Sequence, residues 1–403
     1  MSLKNAVGGV LLIVGTSVGA AVLVLPVATA NLGLFGALSI YFVCWLFMTI
    51  GALCILEANL STGFGTNMIT MAETFLGKPG KWLTWITYLI LFYALTSAYL
   101  SGTSAWIMHL FDHFKMTIST QQAAILGAIG LMLIISLGAH ITDLFNRVLM
   151  VGLFASFLLL GGITSTHVSS EVLFQTKAHF DILQLPLIIT AFGFAIIVPT
   201  LAEYLHGKAN QLYHVILVGS LAPLLIYIIW QILIMGTLPA TGEHSLTAIS
   251  ASGNPATELP KQLDQVLGHP WITQCMNYFS IFALFSSILG VCLSLYDFLA
   301  DGLHIKKNLK GKSILALITF LPPLGFVYYY PEGFIMALSF AGIFVALLLG
   351  ILPAMMVWSM LRHPERDVIR GWIGQKWLLC LTILFFVGII GIQCYNLANE
   401  FTA

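Results

Sequence analysis

The sequence predicts an all-α integral membrane protein that crosses the bilayer eleven times. Three observations carry this. Only 8% of the 403 residues are charged and 59% are hydrophobic, whereas a soluble domain carries roughly 25% charged residues. Such a chain cannot clothe a water-facing surface of its size. Apolar runs recur along the whole length, and about 20 mostly apolar residues suffice for one crossing. Finally, Lys and Arg collect on alternate connections, as they do on the cytoplasmic side of membrane proteins. The net charge of +0 offers no basic footprint for nucleic acid, and a cytosolic enzyme or disordered regulator is excluded on composition.

Taken in order, the first span covers 6–31. Ala28-Thr29-Ala30 imitates a signal-peptide cleavage site, yet the preceding apolar stretch exceeds the roughly 7–15 residues of a signal peptide. It reads as an uncleaved helix. The second span is 35–60, followed by a short surface helix over 66–76 and the turn Lys78-Pro79-Gly80-Lys81. Spans three to seven cover 82–110, 121–139, 145–166, 183–205 and 211–236. The longest polar connection, 243–269, is expected to pack over one mouth of the protein. Spans eight to eleven cover 271–300, 313–330, 333–360 and 374–398, with Pro322-Pro323 and Pro353 as kinks.

The basic residues test this map. With the N-terminus inside, Lys4, Lys78, Lys81, Arg147, Lys208, Lys306, Lys307, Lys310, Lys312, Arg362, Arg366, Arg370 and Lys376 are inner. Lys115, Lys177 and Lys261 are outer, which completes the 16 Lys and Arg of the chain. A missed or invented span would scramble the asymmetry from that point onward, so the C-terminus is expected outside.

Little in the chain suggests catalysis. Cys44, Cys54, Cys275, Cys292, Cys380 and Cys394 lie in or beside apolar runs without C-x-x-C spacing and read as small buried hydrophobes. His109 and His113 flank Asp112 at the outer end of span three, where polar residues are expected. No metal, cofactor, phosphate loop, nucleophile elbow or zinc-protease helix is expected. A membrane-embedded enzyme lacks its nucleophile or metal cluster here, and a channel would show a polar helix face through the bilayer.

Two spans carry what an anchor does not need. Span one contains Gly15-Thr16-Ser17-Val18-Gly19-Ala20-Ala21 near its middle, and span six contains Thr190-Ala191-Phe192-Gly193-Phe194-Ala195. Glycine costs about 1 kcal/mol in a helix interior. Unwound backbone at mid-membrane depth survives only where protein buries it or a watery cavity adjoins it. Gly15 and Gly19 also have the Gly-x-x-x-Gly spacing of close helix packing. The pairing favours a site: spans one and six are corresponding members of two five-span halves, and an odd number of spans inverts the second half. Matched interruptions in inverted halves point to a transporter's central site.

These segments, with Leu56-Glu57, Tyr93-Ala94-Leu95-Thr96-Ser97-Ala98-Tyr99 and Asp143-Leu144-Phe145-Asn146-Arg147, carry a wider resemblance. Phe192-Gly193-Phe194, Asp297-Phe298-Leu299-Ala300-Asp301 and Thr319-Phe320-Leu321-Pro322-Pro323 extend it over nearly the whole chain. The sequence resembles the hydroxy and aromatic amino acid permeases, and among them the bacterial tyrosine-specific branch. The resemblance implies a leucine-transporter-type architecture: one five-helix repeat over 1–166, a second, inverted one over 183–360, and an additional span at 374–398. It also implies proton-driven import of tyrosine or tryptophan across a bacterial inner membrane, with the N-terminus cytoplasmic and the C-terminus periplasmic. Where the family pattern leads us to expect a histidine after Phe-Gly-Phe, this chain has Ala195.

A zwitterionic substrate needs partners for a carboxylate and an ammonium, and broken helices supply them from backbone. Amides over Ser17, Val18, Gly19 and Ala20, helped by the Thr16 and Ser17 hydroxyls, are expected to take the carboxylate. Carbonyls near Thr16 and from Thr190 to Gly193 would take the ammonium. Phe192, Phe194, Tyr93, Thr96 and Tyr99 would surround an aromatic side chain. Glu57, Arg147 and Asp297 are the proton-coupling candidates, because charge within a membrane costs about 2.5–3.5 kcal/mol and suggests function. By analogy with related sodium-driven transporters, Ser286 and Ser287 are a candidate ion site against span one. The expected partners are an aromatic amino acid, protons and membrane lipid, with no obligatory protein partner evident.

Overall fold

The computed structural model describes residues 3–63, 66–176, 182–206, 208–268, 270–362 and 371–402. Lys177, Arg366 and Arg370 lie outside the described residues.

The first span is broken as its sequence anticipates. Helix α1 (Leu3–Ser17) stops at the Gly15-Thr16-Ser17 run, and α2 (Ala21–Ala28) resumes beyond it. The two parts are bent by 57°. Glycine and hydroxyl residues are poor helix formers, and the Thr16 hydroxyl folds back onto the Leu12 carbonyl at 2.8 Å. The second span is the unbroken α3 (Gly33–Thr62). Helix α4 (Met68–His113) contains the expected surface helix and third span, separated at Gly77, whose φ of 71° only glycine adopts readily. Then follow α5 (Thr120–Ser136), α6 (Ala139–Thr164) and the single turn α7 (Ser170–Leu173).

Span six is also interrupted. Helix α8 (Leu185–Ala191) ends at Phe192, a 3-10 stretch runs over Gly193–Ile197, and α9 (Val198–Tyr204) restarts with Pro199 in its first turn. Span seven is α10 (Ala209–Thr237). The long polar connection folds into α11 (Leu246–Ser252) and α12 (Pro255–Leu267). Their apolar residues Leu246, Ile249, Leu259 and Leu263 are buried, and both helices pack on α2. Helices α13 (Pro270–Gly302) and α14 (Leu309–Tyr329) follow. Span ten is α15 (Phe334–Val345), a π-helical turn over Ala346–Ile351, and α16 (Leu352–Met360); α17 (Lys376–Thr402) is last.

Among the described residues, nine helices are long and apolar enough to cross a membrane, and ten if the bent α1–α2 pair counts as one span. Helix α5, the fourth expected span, is apolar but only 17 residues long. At 1.5 Å per residue it falls short of a typical 30 Å hydrocarbon core. Contacts join the helix ends as the alternation of basic residues requires. At one end Lys312 Nζ donates to the Ser136 carbonyl, Ser359 Oγ to the Phe75 carbonyl, and Gly302 sits against Trp85. At the other, Ser101 Oγ donates to the Pro331 carbonyl and Asn396 to the Leu183 carbonyl. The first is the basic end of the bundle.

The cysteine reading holds only in part. Cys44, Cys54 and Cys292 are buried, but Cys380 and Cys394 are exposed on α17. Only a third of that helix's most apolar stretch is buried, so its outer face is left uncovered by the described residues.

Candidate functional site

The two helix breaks meet at one cavity of about 300 Å³. From the first break come Gly15, Thr16, Ser17, Gly19, Ala20 and Ala21, and from the second Thr190, Gly193, Ile196 and Ile197. Phe92 and Tyr99 of α4, Asn146 and Met150 of α6, Ser286, Ser287, Gly290 and Ser294 of α13, and Val345 and Leu349 close the walls. Among the described residues, no charged side chain lines it. Its polarity is that of helix ends, hydroxyls and one amide.

The backbone at the first break is partly free. The Val18 N–H still donates to the Val14 carbonyl at 2.8 Å, and bonding resumes with Val22 N–H to the Gly19 carbonyl at 3.2 Å. Between them the Ala20 N–H leaves the helix for Ser287 Oγ at 2.9 Å. At the second break Thr190 Oγ1 is shared between the Pro186 carbonyl at 2.9 Å and the Leu338 carbonyl at 3.3 Å. A Cβ on Gly193 would meet no atom within 4 Å, because that residue borders open space. Ser17 Oγ and Asn146 Oδ1 are buried at the walls without a hydrogen-bond partner among the described residues. A buried polar atom left unpaired costs about 1–3 kcal/mol, so each of these atoms is open to a polar partner.

The cavity has a direction. Thr16, Gly290 and Ser294 are exposed, and all three lie on the basic-end side of the breaks. Ser17, Tyr99 and Ser286 are buried. Beyond Tyr99, whose ring packs 6.4 Å from Phe334, α12 covers the opposite mouth. The site therefore communicates with the basic end and is shut from the other.

Of the residues singled out from sequence, Thr16, Ser17, Gly19, Ala20, Tyr99, Thr190, Gly193, Ser286 and Ser287 line the cavity. Val18, Phe192 and Phe194 are instead packed in the core, Phe192 edge-on to Tyr227 with centroids 5.2 Å apart. Tyr93 donates its hydroxyl to the Ile318 carbonyl on α14 at 2.9 Å, and Thr96 is buried. Spacing by three on a helix of 3.6 residues per turn rotates about 60° at each step, so Tyr93 and Tyr99 diverge by about 120° and cannot share the cavity face.

The three coupling candidates stand apart from the cavity. Glu57 is fully buried and accepts a hydrogen bond from the Tyr213 hydroxyl at the start of α10. Asp297 is ion-paired with Lys307 at 2.6 Å, near the basic end. Arg147 is exposed beside Asn146. Sequence reasoning missed Asn146, Met150, Phe92, Ser294, Val345 and Leu349. Asn146 was legible, being a lone amide entering an apolar span; the apolar ones carried no signal. No group of three or more metal-ligating side chains occurs among the described residues. The side chain of His113 lies outside them.

A family model described as the tryptophan/tyrosine permease family matches residues 2–394. The chain belongs to that family. As a permease it is a membrane transport protein and not an enzyme. It is 30% identical over 385 residues to the tyrosine-specific transport system 1 of Haemophilus influenzae, covering 95% of each chain. It is also 30% identical over 404 residues to the low affinity tryptophan permease of Escherichia coli, covering 97% of this chain and 95% of the relative. Among solved structures, the crystal structure of MhsT in complex with L-phenylalanine superposes with a TM-score of 0.64. That match has 14% identity and covers 96% of this chain and 98% of the other. The permease thus shares a leucine-transporter-type fold.

Proposed function

We propose that this permease imports an aromatic amino acid, with L-tyrosine as its principal substrate, by proton symport and alternating access around the central cavity. The observation that carries the reading is that both interrupted helices end at one cavity lined, among the described residues, by no charged side chain. A zwitterion carries equal and opposite charges, and helix ends offer matching partial charges without the cost of burying a formal one. The volume, about 300 Å³, is at the lower limit of ligand cavities and suits one amino acid. Phe92 and Tyr99 offer aromatic faces to its side chain. The names of the tyrosine- and tryptophan-specific relatives support the substrate class.

In this reading the chain spans a bacterial inner membrane eleven times, as two inverted five-helix repeats and a final helix, with the basic end cytoplasmic. The cavity is then open to the cytoplasm, the state that releases substrate. Glu57, a buried carboxyl that accepts a hydrogen bond from Tyr213, carries the coupling proton. One proton crossing roughly 150 mV supplies about 3.5 kcal/mol, enough for roughly a few-hundred-fold accumulation. A tryptophan or broad aromatic permease is the competing substrate reading. Sodium coupling is the competing drive, favoured by the Ser286 and Ser287 hydroxyls beside the first break.

One panel tests all of these. Proteoliposomes with an inward proton gradient should accumulate labelled tyrosine, with Trp, Phe and Leu as competitors, with and without sodium. Uptake unchanged after all gradients are collapsed would rule out symport.

A further inference from the structure

Helices α1 and α8 approach mid-membrane from opposite ends and stop at Ser17 and Ala191. Each therefore presents its carbonyl, the negative end of its dipole, to the other. Two such ends repel in a low-dielectric interior, and each carbonyl needs a donor. One atom lies within reach of both. The Tyr227 hydroxyl of α10 shares its single hydrogen between the Ser17 carbonyl at 2.6 Å and the Ala191 carbonyl at 3.0 Å. Its ring is 1% exposed and wedged against Phe192, so the hydroxyl is fixed by packing and not by any guest. Tyr227 does not line the cavity.

We propose that Tyr227 is the positioning residue of this site, a tether that holds the two interrupted helices in one register so that both sets of free backbone groups face the same guest. The hydroxyl has one hydrogen for two acceptors, which leaves the pair one donor short. The ammonium of the substrate completes the set. Recognition of the ammonium therefore depends on a residue that forms no part of the cavity wall. This second part rests on the substrate reading above; the tether itself does not.

Tyr227→Phe removes only the oxygen. In the substrate-free protein, amide hydrogen exchange over 16–22 and 190–196 should accelerate about tenfold or more, the effect of losing one buried hydrogen bond. Unchanged exchange there overturns the tether. Binding should weaken more for tyrosine than for 3-(4-hydroxyphenyl)propionate, which lacks the ammonium, so the ratio of the two affinities should fall. An unaltered ratio, with tyrosine still bound, overturns the role in ammonium recognition. If the wild-type protein binds no aromatic amino acid, the substrate reading fails while the exchange result still decides the tether. Placing 4-aminophenylalanine at 227 keeps a donor at the same reach and should restore wild-type exchange even where Y227F does not fold; failure to restore it also counts against the tether.

Discussion

The Ala20 backbone N–H and the Ser287 hydroxyl oxygen lie 2.9 Å apart, joining the break in the first span to α13. The approach is possible because residue 19 is glycine: a Cβ there would stand 2.3 Å from that same Ser287 oxygen. The junction sets how closely the unwound segment and α13 can meet across the cavity.

Gly19→Ala should therefore force the two apart, at an overpacking cost of about 1–3 kcal/mol, and weaken tyrosine uptake roughly 5- to 140-fold. Adding Ser287→Ala removes the clashing oxygen and should recover part of the loss. The four corners of this double-mutant cycle, read as KM in proteoliposomes, settle it; strictly additive losses would mean the clash is not the cause.

Tyr99 lines the cavity at its sealed end, and in the proposed reading its ring packs on the substrate. Tyr99→Ala should cost about 0.5–1.5 kcal/mol of ring stacking for tyrosine or tryptophan and less for leucine. Competition constants measure the difference, and equal losses for all three would remove Tyr99 from side-chain recognition.

Glu57→Gln keeps the size of the buried side chain but cannot release a proton. Equilibrium binding of substrate should persist while the acceleration of uptake by external acid disappears. An intact pH profile would clear Glu57 of the role, leaving its hydrogen bond with Tyr213 a structural one.

The pair formed by Asp297 and Lys307 should not share that role. Its hydrogen bond to Asp297 holds the Lys307 ammonium above its ordinary value of 10.5. A raised pKa stabilises below the unfolded value and is lost only as pH rises through the folded one, well into alkali. Between about pH 5 and 8 Lys307 keeps its charge. The side chains are 47% and 40% exposed, so the pair is worth about 0.2–1 kcal/mol at most. Asp297→Asn should leave the pH profile of uptake unchanged, and a flattened profile would refute this.

Gly51 of α3 meets the π-helical turn so closely that a Cβ would lie 2.2 Å from the Leu349 carbonyl. Backbone cannot swing aside as a side chain can. Gly51→Ala should destabilise by about 1–3 kcal/mol and lower uptake too, because Leu349 is a wall of the cavity. A thermal unfolding scan in detergent tests the first effect; unchanged Tm and uptake would show that the turn yields.

Sequence alone determined the class of this protein, its alternation of ends and the places where two helices fail. Those properties follow from local physics: hydropathy decides what enters lipid, Lys and Arg mark one face, and glycine with hydroxyl residues weakens a helix wherever it lies. Nine of the residues named for the site line the cavity for the same reason, being at the breaks or facing them. Only the tertiary structure decided which side of each helix faces the cavity, because a fraction of a turn separates Tyr99 from Tyr93 and no local pattern fixes the rotation of a helix that is apolar all round. It alone revealed the tether as well: Tyr227 is 210 residues from Ser17 and 36 from Ala191 along the chain. Nothing in an apolar span announces which tyrosine will find two carbonyls waiting.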